Sequence, residues 1–133
     1  MSDPEPSAAK PPRILLVDDN DAIRTVLHRL LARSGFDVVE ARNGVEALAA
    51  HKARPADIVV TDLIMPEKEG LETILELRRM QPRLRIIAMS GGGRVRAQDY
   101  LKLASALGAS RTLAKPFSEA ELLKAIQELL DGD

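Results

Sequence analysis

Short runs of aliphatic residues recur along this chain, separated by stretches with helical spacing of apolar residues. The runs predict buried strands because each is brief and bounded by polar residues. We predict strands at residues 14–17, 36–40, 58–61, 84–89 and 111–114, and helices at 21–33, 43–53, 71–80, 96–107 and 118–130. Regular alternation of strand and helix favours an α/β sandwich with a five-stranded parallel sheet and helices on both faces.

Composition limits the chain to a single domain of ordinary type. With 133 residues and 45% hydrophobic content, it has material for one core. Four of the eight prolines fall in residues 1–12, so we predict a flexible tail there and one domain over 13–131. A net charge of -1 argues against a nucleic-acid-binding surface. The absence of cysteine excludes disulfides and cysteine catalysis, and no apolar run is long enough to cross a membrane, so we expect a cytoplasmic protein.

Polar residues that carry chemistry follow the predicted strands directly. Asp18 and Asp19 follow the first strand, Asp62 the third, Ser90 the fourth and Lys115 the fifth. Ligands of open parallel sheets bind outside the carboxyl ends of the strands, where the strand order reverses. In the common order 2-1-3-4-5, strands one and three are neighbours at that point, so three carboxylates would meet in one crevice. An alternative is that Asp18 and Asp19 only cap the following helix.

Three clustered carboxylates repel each other unless a cation joins them. They are hard oxygen ligands with no histidine or cysteine nearby, which favours Mg²⁺. Lys115 can neutralise developing charge, and Ser90 can donate a hydrogen bond to a phosphoryl oxygen. One carboxylate would then be the nucleophile, since a carboxylate can form an acyl phosphate. These residues predict phosphoryl transfer onto an aspartate.

The same segments resemble the response regulator receiver domain of two-component signalling, in its stand-alone chemotaxis-type form. The resemblance covers about residues 13 to 130. It is carried by four segments in order, ILLVDDN at 14–20, IVVTDLIMP at 58–66, AMSG at 88–91 and KPF at 115–117. It implies a flavodoxin-like (βα)5 sandwich, with a phosphoryl group received from a sensor histidine kinase or phosphotransfer protein.

The resemblance also assigns roles to single residues. Asp62 is the phosphorylated aspartate and, with Asp19 and the backbone carbonyl of Ile64, a direct ligand of Mg²⁺; Asp18 acts partly through water. Ser90 is the switch hydroxyl that moves toward the acyl phosphate. Self-catalysed phosphoryl acceptance and autodephosphorylation are implied, without conventional enzymatic turnover.

The lysine at the end of the fifth strand has an implied role as well. Lys115 pairs with the phosphorylated aspartate or its phosphate, and its bond to Pro116 is expected to be cis. Three residues earlier, Thr112 stands where the family usually has an aromatic residue that couples the hydroxyl to the surface. A glycine run, residues 91–93, predicts a mobile loop that reorganises on phosphorylation.

Output is expected through a protein-protein surface formed by the fourth helix, fifth strand and fifth helix, in a monomer or weak dimer. Two alternatives stay open. One is a constitutive interaction module that no longer switches because Thr112 replaces the usual aromatic residue; the other is a phosphatase with an aspartyl-phosphate intermediate.

Several other charged or polar residues are predicted to have no functional role. His28 and His51 are interpreted as solvated surface residues, and Arg78 as part of a solvated helix end. In the helix that carries His51, we predict that Val45, Leu48 and Ala49 face the core.

Overall fold

The computed structural model describes residues 10–63, 70–91 and 102–132, in which five strands and five helices alternate. The strands are β1 (Arg13–Val17), β2 (Asp37–Ala41), β3 (Ile58–Asp62), β4 (Arg85–Ser90) and β5 (Arg111–Ala114). The helices are α1 (Asp21–Arg33), α2 (Gly44–Ala53), α3 (Gly70–Met80), α4 (described over 102–107) and α5 (Glu119–Gly132). Most boundaries lie within one or two residues of the predicted ones.

The five strands form one parallel sheet in the order β2-β1-β3-β4-β5. β1 lies between β2 and β3, with Val17 paired to Ala41 on one side and to Thr61 on the other. The strand order therefore reverses between β1 and β3, which is where the carboxyl ends of these two strands border a crevice. The predicted fold class and strand order are both confirmed.

Alternation of side chains along β1 creates two hydrophobic cores. Ile14 and Leu16 point to the face covered by α1 and α5, while Leu15 and Val17 point to the face covered by α2, α3 and α4. All four side chains are at most 1% exposed. Burial on both faces explains why the central strands β1, β3 and β4 are mainly aliphatic and lack polar alternation. This rigid central sheet fixes the positions of the residues at its carboxyl edge.

Side-chain caps define where the helices begin. Asn20 caps α1 by accepting a hydrogen bond from the Ile23 amide at 3.0 Å, and Asn43 caps α2 in the same way. At the start of α5, Ser118 and Glu121 form a reciprocal capping box at 2.9 and 3.1 Å. Because Asn20 caps α1, the alternative that Asp18 and Asp19 serve only as its caps is not supported. No described helix is long and apolar enough to cross a bilayer.

The inward face of α2 differs from the prediction. Val45 is 59% exposed and Ala49 is also exposed, whereas Gly44, Ala47 and His51 are buried and Leu48 is partly buried. The prediction is confirmed for Leu48, which packs against the core, and was wrong for Val45 and Ala49. Apolar residues occur on every side of this helix, so hydrophobic spacing does not select one face. Close packing of the small residues Gly44 and Ala47 against the sheet selects it instead.

Candidate functional site

The carboxyl ends of three neighbouring strands carry the candidate site. Asp62 is the last residue of β3 and pairs with Met89 of β4. Ser90 is likewise the last residue of β4, so both residues belong to strands that we predicted to end one residue earlier. Asp18 directly follows β1, and its amide donates to the carbonyl of Ala41 at 3.1 Å. Regular hydrogen bonding thus continues up to the side chains of the candidate site.

Three carboxylates and one ammonium converge at this edge. Asp18, Asp19 and Asp62 each offer an oxygen within 4.8 Å of the others. Asp18 and Asp62 are 1% and 7% exposed, while Asp19 faces solvent. The Nζ atom of Lys115 lies 3.2 Å from Asp18 Oδ2 and 3.3 Å from Asp62 Oδ1. The structure therefore brings together the acids and the lysine that the sequence predicted.

The electrostatics of the cluster favour a divalent cation. Burial raises the pKa of Asp62 to about 6, the Lys115 ammonium opposes that rise, and the negative charges of Asp18 and Asp19 add to it. One ammonium leaves three neighbouring carboxylates undercompensated, so a bound cation would relieve the repulsion. The donor atoms are carboxylate oxygens, which suit Mg²⁺. The residues present thus fit the ion that the sequence predicted.

Ser90 contributes a hydroxyl without a hydrogen-bond partner. Its Oγ atom is buried and unpaired within the part of the chain that the structure describes. Its backbone carbonyl accepts a hydrogen bond from the Lys115 amide at 2.7 Å, which joins the ends of β4 and β5. Buried hydroxyls are normally paired, so an unpaired one beside the acid cluster is available to a ligand oxygen.

Arg24 is a positioning residue that sequence reasoning missed. It donates to the backbone carbonyl of Asp18 at 2.8 Å and forms ion pairs with Asp21 at 2.6 Å and Glu40 at 2.7 Å. The side chain of Asp18 also accepts from the Asn20 amide at 2.9 Å. These contacts hold the segment after β1 against the start of α1. A basic residue one turn into that helix is the only signal for this role in the sequence.

Gly70 is a second missed residue, and its role is steric. A Cβ atom built there would lie 2.4 Å from the carbonyl oxygen of Asp62 and 2.4 Å from Cα of Leu63. Its amide donates to the Leu63 carbonyl at 2.9 Å. The start of α3 therefore packs directly on the backbone that carries Asp62, at a distance that only glycine permits.

Two histidines predicted to be solvated, His51 and His28, make specific contacts instead. His51 is 3% exposed; its Nδ1 accepts from the Ala56 amide at 3.0 Å and its Nε2 lies 2.9 Å from the side-chain oxygen of Gln81. His28 is half-buried and pairs with Glu40. Each histidine contacts a polar group from another part of the chain. The spacing of residues within one helix cannot predict such a contact.

Arg78 is also only partly exposed, contrary to the prediction of a solvated helix end. Its guanidinium donates to the backbone carbonyls of Pro82, Leu84 and Gly108. Burial lowers its pKa from the ordinary value. Arg78 thereby ties the turn before β4 to the turn before β5.

Features expected around the end of β5 and in the loops beside the site complete the comparison with the sequence. The Lys115-Pro116 bond is cis, as the resemblance implied, and Thr112 is exposed on β5. The Ile64 carbonyl, the loop after Gly91 and the first part of the fourth helix lie outside the described residues. The roles predicted for them stay predictions.

Fold and site together define a class: a doubly wound parallel α/β domain with a carboxylate cluster, a lysine and a free hydroxyl at its topological switch point. The family model of the response regulator receiver domain matches residues 14–127. The chain belongs to this family.

Curated relatives of similar length support the assignment. The chain is 35% identical over 120 residues to the chemotaxis protein CheY of Bacillus subtilis, covering 90% of this chain and 98% of that protein. It is 33% identical over 118 residues to CheY of Thermotoga maritima, covering 88% and 96%. These values make the chain a receiver domain homologous to CheY.

Solved structures agree with the fold. A CheY-like receiver domain protein from Methanospirillum hungatei superposes with a TM-score of 0.84 at 27% identity, covering 91% of this chain and 94% of that one. Chemotaxis protein CheY4 of Vibrio cholerae gives 0.81 at 28% identity, covering 90% and 98%. Receiver domains are in general signalling modules that interact with histidine kinases and downstream targets. The comparisons favour neither the constitutive module nor the phosphatase.

Proposed function

We propose that this receiver domain accepts a phosphoryl group on Asp62 from a phosphohistidine of a sensor histidine kinase or phosphotransfer protein, with Mg²⁺ bound beside it. The observation that carries the proposal is the convergence of Asp18, Asp19 and Asp62 around the ammonium of Lys115. A carboxylate oxygen of Asp62 forms the new P–O bond while the P–N bond of the donor breaks. Signalling then follows from the altered charge at the switch point.

Mg²⁺ would be held by Asp19, Asp62 and the backbone carbonyl of Ile64, with Asp18 acting through water. When bound, it supplies positive charge to the phosphoryl oxygens. The support comes from the donor set, because three carboxylates lie within reach of one ion and Asp19 is open to solvent. Asp62 must be ionised to attack, and a cation beside it favours that form.

Lys115 and Ser90 act on the phosphoryl group rather than on the metal. Lys115 already contacts Asp62 at 3.3 Å, so after transfer it can pair with the phosphoryl oxygens. The buried, unpaired Oγ of Ser90 gains a partner when it donates to one of those oxygens. Both interactions are stronger after phosphorylation than before, which is what a two-state switch requires.

A protein donor must contact the rim of the site, because its phosphohistidine has to reach Asp62. An apolar groove of about 440 Å³ borders that rim and is lined by Ile23, Leu27, Gly91, Lys115, Pro116 and Phe117. Val26, on the same helix, is 57% exposed and lines an adjoining apolar groove that shares Ile23 and Leu27 with the first. We infer that these two adjoining grooves receive the donor. Val26→Ser should slow transfer from a phosphorylated donor protein and leave transfer from acetyl phosphate unchanged.

Output through the surface of α4, β5 and α5 remains part of the proposal. Leu103 on α4 is 52% exposed and Thr112 on β5 is exposed, so this surface offers contact area. Sedimentation velocity with and without acetyl phosphate distinguishes a monomer from a phosphorylation-dependent dimer. Leu103→Ser should weaken partner or self-association without changing phosphorylation of Asp62. Reduced phosphorylation in that variant would count against a purely output role.

The direct test is intact mass after incubation with Mg²⁺ and acetyl phosphate. The native chain should gain one phosphoryl group, Asp62→Asn should gain none, and removal of Mg²⁺ should abolish the gain. Asp131→Asn is the matched control, because it removes one exposed carboxylate near the end of α5 that is not part of the cluster. Phosphorylation of Asp62→Asn to the native level would refute the assignment of the acceptor.

The fate of the phosphoryl group separates the proposal from catalytic turnover. We propose that the acyl phosphate is lost by hydrolysis catalysed within the same site. After acetyl phosphate is removed, native protein with Mg²⁺ should therefore lose the added mass faster than unfolded protein, which cannot form the Mg²⁺ site. Sustained phosphate release from small phosphomonoesters would instead indicate a phosphatase.

A further inference from the structure

A polar cavity lies at the opposite end of the sheet from Asp62. It has a volume of about 680 Å³ and is lined by Arg78, Arg83, Leu84, Arg85, Ser110, Arg111 and Leu129. Arg85 begins β4 and Ser90 ends it, so about 16 Å of strand separates this cavity from the phosphorylation site. The cavity is therefore independent of the acid cluster.

The cavity carries an excess of positive charge. Arg83 and Arg85 have no carboxylate within ion-pair distance among residues 10–63, 70–91 and 102–132. Arg111 lies 3.6 Å from Glu128, which is the acidic side chain that compensates part of the charge. Four guanidinium groups thus share one carboxylate around a single concavity. Such a surface attracts anions and focuses their approach.

Arg78 fixes the geometry of the cavity. Its guanidinium donates to backbone carbonyls on both turns that border the cavity, those of Leu84 and Gly108 among them. The carbonyls satisfy its N–H groups without neutralising its charge. The pKa lowered by burial reflects the cost of holding this cation away from water. An anion in the cavity would relieve that cost.

The hydroxyl of Ser110 is a neutral hydrogen-bond donor, and a backbone contact holds it in place. Its Oγ accepts a hydrogen bond from the Ile86 amide at 3.1 Å, and its own amide donates to the Ile86 carbonyl at 2.7 Å. The hydroxyl proton has no acceptor within the described part of the chain. It can therefore donate to an oxygen of a bound anion.

We propose that this cavity binds a small anion carrying two or more phosphate groups. Arginine guanidinium groups bind phosphate oxygens through paired, charge-assisted hydrogen bonds. Arg83, Arg85 and Arg111 can donate such bonds, whereas Arg78, whose N–H groups are satisfied by carbonyls, adds its charge. Several guanidinium groups around one concavity fit a ligand with several charged groups better than a single phosphate. The concave shape between two turns suits a small ligand, since contact with a protein chain generally requires a larger surface.

The test is a titration of the ¹⁵N-labelled full chain with tripolyphosphate in metal-free buffer, followed by amide chemical shifts. Saturable shifts should concentrate at Arg83, Arg85, Ser110 and Arg111, and not at Asp18 or Asp62. Arg83→Gln with Arg85→Gln should weaken binding by at least about tenfold, because two charge-assisted contacts are lost. Circular dichroism confirms that the double variant is folded.

A charge-matched control separates a specific site from general attraction. Arg29 and Arg79 are exposed and do not line the cavity, so Arg29→Gln with Arg79→Gln removes the same charge elsewhere. This control should bind within about twofold of the native chain. Equal weakening in both double variants would overturn the proposal, as would the absence of saturable shifts. ADP tested beside tripolyphosphate distinguishes a nucleotide from an inorganic polyphosphate, and binding of either at these residues supports the site. Binding of an acidic peptide but of neither phosphate compound would overturn it.

Discussion

Removing the charge of Asp62 should stabilise this domain when no cation is bound. Asp62→Asn keeps the shape of the side chain and replaces a buried carboxylate by a neutral amide. The carboxylate is 7% exposed and lies among Asp18 and Asp19, with Lys115 as the sole ammonium in contact with it among the described residues. The variant therefore isolates the electrostatic cost of the acid cluster.

The magnitude follows from the pKa of Asp62. Burial and the neighbouring acids raise that pKa to about 6 from the ordinary value of 3.8. At 1.36 kcal/mol for each pKa unit, the ionised carboxylate costs about 3 kcal/mol in the folded state. Because asparagine resembles the protonated carboxyl group, we expect Asp62→Asn to raise the free energy of unfolding by about 3 kcal/mol at neutral pH.

The pH dependence has a definite sign. The pKa of Asp62 is higher in the folded protein than in the unfolded chain, so the folded protein binds the proton more tightly. Ionisation of Asp62 therefore destabilises the native state. The cost is absent below about pH 4, grows between about pH 4 and pH 6, and is complete above that range. The stabilities of native chain and variant should therefore converge at acidic pH.

Urea unfolding followed by far-ultraviolet circular dichroism measures the effect, since the chain has no tryptophan. Both proteins are compared in metal-free buffer at about pH 7.5 and about pH 4.5, with Asp131→Asn as the control for loss of an exposed charge. A stabilisation of Asp62→Asn that is the same at both pH values would refute the electrostatic explanation. No stabilisation at the higher pH would refute the raised pKa itself.

Three further predictions concern single side chains. His51→Ala should lower the free energy of unfolding by about 1 to 3 kcal/mol in urea titrations, because it leaves the buried Ala56 amide without its acceptor. Gly70→Ala should lower it by at least about 1 to 3 kcal/mol, since the new Cβ would overlap the backbone of Asp62 and Leu63; wild-type stability would contradict that packing. Lys115→Met should raise the pKa of Asp62 above about 6 in metal-free NMR titrations, because the ammonium lowers it; an unchanged pKa would show that the two groups are not coupled.

The candidate site could be predicted largely from the chain because its residues sit at strand ends. Asp18 follows β1 and Lys115 follows β5, and parallel strands place their carboxyl ends at one edge. The central strands β1, β3 and β4 are buried on both faces, so the change from aliphatic to polar residues marks their ends within one residue. Once the strand order is known, the convergence of these side chains follows from the sheet geometry.

Contacts between elements far apart in the chain could not be predicted in this way. His51 is buried because Gln81 and the Ala56 amide satisfy its ring nitrogens, and helical spacing within α2 contains no trace of either partner. Arg78 donates to the carbonyl of Gly108, 30 residues away, although a basic helix end predicts solvent exposure. Whether a polar side chain can be buried depends on where its hydrogen-bond partner lies, and that position is known only from the folded structure.

The acid cluster gives the domain a direct link between stability and signalling chemistry. Without a cation, ionised Asp62 works against folding, so Mg²⁺ binding to the native state should recover stability, by about 1.4 kcal/mol when its concentration is ten times the dissociation constant. Asp62→Asn removes one of three candidate ligands and should recover less. The stability gap between the two proteins should therefore narrow as Mg²⁺ is added at neutral pH. A gap that is independent of Mg²⁺ would mean that the carboxylates do not bind the ion together, and that their convergence serves the lysine alone.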